Sequence, residues 1–252
     1  MADAHRADGK SAFYGRRGGR RADWWTLLHP PYTLWHVSYA VMGASLAPHL
    51  NWVALGATAL AFFLAVGIAA HALDEFNGRP LGTAISDRAL WTVAVLGLAG
   101  AVALGMAAVS RIGPVLIPFM VVGVCLVLGY NLELFGGVLH NDLGFAAGWG
   151  GFPVAVGFVA QSPPLTSKGV AAVVAGTLAA TAISYAQRCL STPARTIRRR
   201  TSQLGGVITL TDGTQRTLDR ASLLVPLEGA LRAMSFGVPL VAAAAVLARL
   251  PS

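Results

Sequence analysis

An imidazole and two carboxylates stand together at His71, Asp74 and Glu75, directly after an apolar run of about twenty residues without a charge. In helical register His71, Asp74, Glu75 and Gly78 fall at i, i+3, i+4 and i+7, a spacing that predicts one shared face. An ionisable group at the centre of a membrane helix costs about 2.5–3.5 kcal/mol, so such a cluster points to function. Asp87 and Arg88, further on, read as charges sitting in water at the interface. Asn77 and Arg79 extend the first cluster. A second comprises Tyr130, Asn131, Glu133, His140, Asn141 and Asp142. A third comprises Gln187, Arg188, Ser191, Thr192 and Arg195, followed by Arg198, Arg199 and Arg200. Mg²⁺ commonly bridges one or two carboxylates to a phosphate, and arginine offers fork-shaped donors to phosphate oxygens. Carboxylates and arginines around one polar mouth therefore predict a diphosphate-bearing substrate held through Mg²⁺.

These clusters need elements to place them on one side of a membrane. The chain has 252 residues, 55% hydrophobic and only 12% charged, with a mean hydropathy of +0.60. Soluble domains carry about 25% charged residues, so the composition predicts an all-α polytopic membrane bundle. Residues 1–31 read as a basic arm with Arg16, Arg17, Arg20 and Arg21, ending in an interfacial anchor at Trp24 and Trp25. Residues 32–252 read as a single transmembrane helical domain with a loop at 189–222. Spanning helices need about twenty apolar residues, and seven are predicted, at 32–49, 52–71, 89–108, 113–131, 143–161, 169–188 and 223–248. Turns rich in proline, glycine and polar residues separate them around Pro48, Gly113 and Pro163. An Asp212-Gly213 turn predicts a hairpin over Ile208 to Leu218.

The basic residues flank the apolar runs, so the net charge of +8 implies anionic lipid headgroups rather than nucleic acid. With the N-terminus on one side, that side collects fifteen of the nineteen Lys and Arg and the opposite side three. The crowded side is thus expected to be cytoplasmic, in an integral membrane protein of a prokaryotic plasma membrane. The acidic residues avoid the other side, so a central cavity is expected to open toward the cytoplasm. Cys125 and Cys189 lie in an apolar run and beside a basic loop, where no disulfide is expected. Glu228 and Arg232, at i and i+4, predict an internal pair. Trp35, Phe145, Trp149, Phe152 and Tyr185 suit packing or belt anchoring, and equally an aromatic cavity that holds an isoprenoid tail and stabilises a carbocation.

Three stretches resemble the UbiA superfamily of intramembrane prenyltransferases. Leu28-His29-Pro30-Pro31-Tyr32-Thr33-Leu34 is similar to the start of its first helix. Asp74, Asn77, Arg79-Pro80-Leu81 and Ile85-Ser86 resemble its first Asp-rich motif and continuation. Gly150 to Gly157 resembles its fifth-helix Gly-x-x-Pro-x-x-x-Gly pattern. The resemblance spans residues 28–200 and implies Mg²⁺-dependent transfer of a prenyl group from a prenyl diphosphate to a small or lipid acceptor. On it, Asp74, Glu75 and Arg79 are the expected catalytic residues, with Asp74 and Glu75 as metal ligands. His71, Asn77, Asn131, Tyr185, Arg188, Ser191 and Arg195 are the expected substrate-binding residues. The chain departs from the family at the second Asp-rich motif, where it has Gln187-Arg188-Cys189-Leu190-Ser191. Two other readings stay open: a non-catalytic lipid-binding or transport protein on the same scaffold, and a structural membrane subunit.

Overall fold

Side-chain caps mark where the apolar runs become helices. Asn51, Ser86, Asn141, Thr166 and Asp219 each accept a bond from the backbone N–H three residues on, a contribution of about 1 kcal/mol apiece. The computed structural model describes residues 14–16 and 18–250; Arg17 and the first thirteen residues of the basic arm lie outside the described residues. A short helix, α1 (Gly19–Leu28), carries Trp24 and Trp25 half-exposed. It is followed by α2 (Pro30–Ser45), α3 (Trp52–Phe76), α4 (Asp87–Ile112), α5 (Leu116–Asn131), α6 (Asp142–Val159), α7 (Ser167–Arg199) and α8 (Arg220–Leu247). Between α7 and α8, β1 (Gly206–Thr209) pairs antiparallel with β2 (Gln215–Leu218) around Gly213, the hairpin expected from the sequence.

Among the described residues, α3, α4, α6, α7 and α8 are long and apolar enough to cross a membrane, and α5 is a shorter apolar helix. Leu96, Val121, Leu178, Phe236 and Leu240 project outward uncovered. Large apolar side chains spread over the outer faces of several helices suit a hydrocarbon solvent rather than water. The chain is a helical membrane protein.

Small residues set the closest helix crossings. α2 packs mainly against α6 and α8, and α7 against the first half of α6. At the α2–α6 crossing a Cβ on Gly43 would overlap the carbonyl oxygen of Val154, and one on Gly157 would overlap that of Ala40. Without a hydrophobic drive between helices in lipid, such backbone-to-backbone packing supplies the attraction. Trp35, Tyr39, Val154, Ala180 and Val238 form the core on this side. A second core joins α3, α4, α5 and α6 through Val66, Leu73, Leu90, Val127, Tyr130 and Trp149.

Two expected boundaries change in ways that matter below. α3 continues past 71 to Phe76, so the His71 cluster is helical. α7 runs eleven residues beyond the expected 188, straight through Pro193, and absorbs much of the predicted loop. Proline lacks only its own N–H bond, and the surrounding turns carry the helix on.

The α2–α6 crossing yields a test. Gly157→Ala should lower the thermal unfolding midpoint in detergent, since overpacking costs about 1–3 kcal/mol. Gly56→Ala on α3, where a Cβ meets nothing within 4 Å, should leave the midpoint unchanged or slightly raised. Equal behaviour of the two variants would refute the close crossing.

Candidate functional site

Glu75 is fully buried, and its carboxylate accepts bonds from Leu81 N (2.8 Å), Thr83 N (2.8 Å) and Thr83 Oγ1 (2.9 Å). It thereby fastens the segment between α3 and α4. Arg79, at a positive φ of 54°, ion-pairs with Asp87 and donates to the carbonyl of Ile85. Asp23 of α1 accepts from Ala84 N (3.0 Å), and Arg199 of α7 donates to the Pro80 carbonyl (2.6 Å). Residues 77–86 are thus a pinned lid over one end of the bundle.

Two helices are wound as π-helix near this lid: α3 over Phe63–Ala70 and α6 over Ala146–Gly151. Such segments break the regular i→i−4 ladder. In each, a histidine takes up a carbonyl: His71 Nδ1 lies 3.2 Å from Gly67 O, and His36 Nδ1 lies 2.9 Å from Trp149 O. A carbonyl only accepts, so each Nδ1 carries the proton. His29 stacks on His71 at 4.5 Å between ring centroids. The Tyr14 hydroxyl, from the arm, is hydrogen-bonded to His29 Nδ1. Burial, reinforced by His71, Arg199 and Arg195, holds the His29 imidazole well below its usual range, and burial pushes the Tyr14 phenol up.

Beneath the lid is a cavity of about 350 Å³. Asp74, Asn77, Glu133, Arg188, Arg195 and Arg199 are part of its polar wall, and Tyr130, Phe145 and Trp149 of its aromatic wall. An apolar cleft of about 140 Å³ lies beside it, between α3, α4, α5 and α6, lined by Phe62, Leu98, Met120, Phe119 and Phe152. Val66 and Trp149, one from each π segment, line both. The two spaces meet at that wall.

Of the expected site residues, His71, Asp74, Asn77, Asn131, Arg188, Ser191 and Arg195 all line the cavity. Three do not. Glu75 turns away from Asp74 into the lid, because the lid's N–H groups would otherwise be buried without an acceptor. Arg79 is held on the outer side of the lid by Asp87. Tyr185 is 47% exposed on the outside of α7. Arg198, next to the third cluster in sequence, lines the cavity and pairs with Glu228 at 3.3 Å. Tyr14, His29, Tyr32 and His36 complete the wall. The last three sit at i, i+3 and i+7, a spacing that marks one helical face and that sequence reasoning passed over.

The cavity is basic by construction. Arg188 pairs with Asp142 (2.8 Å) and lies over the Phe145 ring (5.1 Å). Among the described residues Arg195 and Arg200 make no side-chain hydrogen bond or ion pair, and neither does Asp74. Arg195 exerts the largest charge interaction on Asp74. Gln187, nine-tenths buried, leaves Oε1 without a partner among the described residues. The expected metal pair is not assembled here. Glu75 directs both carboxylate oxygens at the lid through three hydrogen bonds, and no group of three His, Cys, Asp or Glu among the described residues is placed to hold an ion. The donors present do not fit a two-carboxylate Mg²⁺ site.

No family model, curated protein or solved structure matches this chain.

Glu75 is therefore expected to act on the lid. Glu75→Gln places an N–H₂ against N–H donors and removes charge-assisted bonds, each of which contributes about 1.5–3 kcal/mol. Hydrogen exchange at Leu81 and Thr83 should accelerate and the lid should become cleavable by protease. Unchanged exchange at both amides would contradict this role.

Proposed function

We propose that this chain is a UbiA-like integral membrane prenyltransferase that receives an isoprenoid diphosphate. The head lies among the arginines of α7 and the tail enters the apolar cleft. The observation that carries this reading is the wall at Val66 and Trp149 that a guanidinium-rich cavity and an apolar cleft share. A ligand that fills both must be an amphiphile with an anionic head.

The chemistry follows from the lining. The allylic C–O bond breaks and the diphosphate leaves with the electron pair, where Arg188, Arg195 and Arg199 oppose the growing negative charge. Fixed charges at the site of developing charge are the largest catalytic contribution in most enzymes. The allylic cation left behind faces Tyr130 and Trp149, whose π faces attract it. The acceptor attacks that carbon and loses a proton. His36 is the lining group suited to take it, with Nδ1 committed to Trp149 and Nε2 left as an acceptor.

A second reading, a non-catalytic carrier of the same amphiphile, is favoured by one observation: Glu75, the second expected carboxylate, is spent on the lid. Lipids that copurify with the protein, followed by incubation of farnesyl diphosphate with membrane extract, separate the two. Release of inorganic diphosphate supports transfer, and stoichiometric binding without release supports carriage. A copurified pool of bulk phospholipid alone would contradict both.

The tail site has its own test. Ala101→Phe fills the cleft wall and should weaken farnesyl diphosphate binding at least tenfold while inorganic diphosphate binds as before. Equal affinity of both ligands for parent and variant would remove the cleft from the reading.

The proposed orientation places α7's basic end and the lid in the cytoplasm. A cysteine introduced by Thr201→Cys should resist an impermeant reagent in sealed cells, and one introduced by Ser162→Cys should react. The reverse pattern would invert the topology.

A further inference from the structure

We propose that the cavity grips the diphosphate head through guanidiniums alone, without a divalent cation. The inference rests on the isoprenoid-diphosphate reading above and specifies how that head is recognised.

Carboxylates are too few and too far apart in role to seat a cation. Glu75 is saturated by Leu81 and Thr83. Glu133 has a half-exposed side chain and faces His140 at 3.8 Å. Asp74 alone presents an unbonded carboxylate to the cavity from α3, and its strongest charged neighbour is Arg195. A divalent cation approaching Asp74 would have to enter beside a guanidinium that already occupies its field.

Cations, by contrast, are in excess and arranged by one helix. Arg188, Arg195, Arg198, Arg199 and Arg200 all line the cavity from the end of α7. Two are neutralised locally, Arg188 by Asp142 and Arg198 by Glu228. Arg195 and Arg199 stand at i and i+4, hence on one face. Neither forms an ion pair with a carboxylate among the described residues. Like charges this close repel while the cavity is empty of anion, and a multivalent anion relieves that repulsion. Each guanidinium offers parallel N–H groups that match two phosphate oxygens. Arg199 spends one N–H on the Pro80 carbonyl and keeps others for an anion, so the head would be held between α7 and the lid. On this account Asp74 is a repulsive neighbour of the bound head, and removing its charge should improve binding.

The test is titration of the full-length protein in detergent with farnesyl diphosphate, in EDTA and in millimolar Mg²⁺, read by tryptophan fluorescence and by calorimetry. The Kd in EDTA should lie within threefold of that in Mg²⁺, and inorganic diphosphate should displace the ligand in EDTA. Asp74→Asn should tighten binding several-fold. Arg195→Gln should weaken it at least tenfold, with Arg195→Lys, which keeps the charge, falling between. Binding that requires Mg²⁺ and is lost in Asp74→Asn would overturn the metal-free grip and leave the isoprenoid-diphosphate reading intact. Absence of binding in both buffers would overturn that reading itself. Displacement failure by inorganic diphosphate would show that the head is not what the arginines hold.

Discussion

A buried carboxylate has to find donors, and the rest of the polar end of this protein is arranged around how Glu75 finds them. Leaving an ionised group in an apolar interior without partners costs far more than a fold can bear. The three donors come from Leu81 and Thr83, so the segment after α3 must fold back over its own helix. That return brings Pro80 within reach of Arg199 and Ala84 within reach of Asp23. The lid is therefore tied to α1, α3, α4 and α7 at once, through Asp23, Glu75, Asp87 and Arg199. The cavity below keeps its shape because its roof is fastened to four helices.

Charge is handled differently on the two sides of that cavity. On α7, Asp142 and Glu228 neutralise Arg188 and Arg198, which lets three more arginines, Arg195, Arg199 and Arg200, line the cavity without forcing the helices apart. On α3, Asp74 is left to the cavity's own field. Behind Trp149 and Val66 the wall turns almost entirely apolar, as Phe62, Leu98, Phe119 and Met120 take over. A guanidinium-lined space and an apolar one thus lie a few residues apart, an arrangement natural at the edge of a bilayer.

Much of this was legible in the sequence. Apolar run lengths located five helices long and apolar enough to span, where seven were expected; among the described residues the fourth expected span is a shorter apolar helix and the first is not a candidate span. The three polar clusters did converge on one end, and seven of the ten expected site residues line one cavity. What could not be read was direction within a cluster. Asp74 and Glu75 are adjacent, about 100° apart on the helix, and only the position of the lid decides which one faces the cavity. Arg79 was lost for the same reason, since Asp87 captures it outside. The extension of α7 through Pro193 was hidden by a residue that usually ends helices. Tyr14 comes from a polar arm that periodicity does not describe.

The π segments carry a consequence for how such a protein can change. An ordinary helix transmits its phase along its whole length, so a residue gained near one end turns the opposite end by about 100°. A π turn absorbs an additional residue locally. In α3 the wide stretch Phe63–Ala70 separates Trp52–Phe62 from His71–Phe76, and in α6 Ala146–Gly151 separates Asp142–Phe145 from Phe152–Val159. The part of each helix that meets the apolar cleft is thereby decoupled in rotation from the part that faces the arginines. The lining of the apolar cleft and that of the arginine cavity can drift independently along the same two helices.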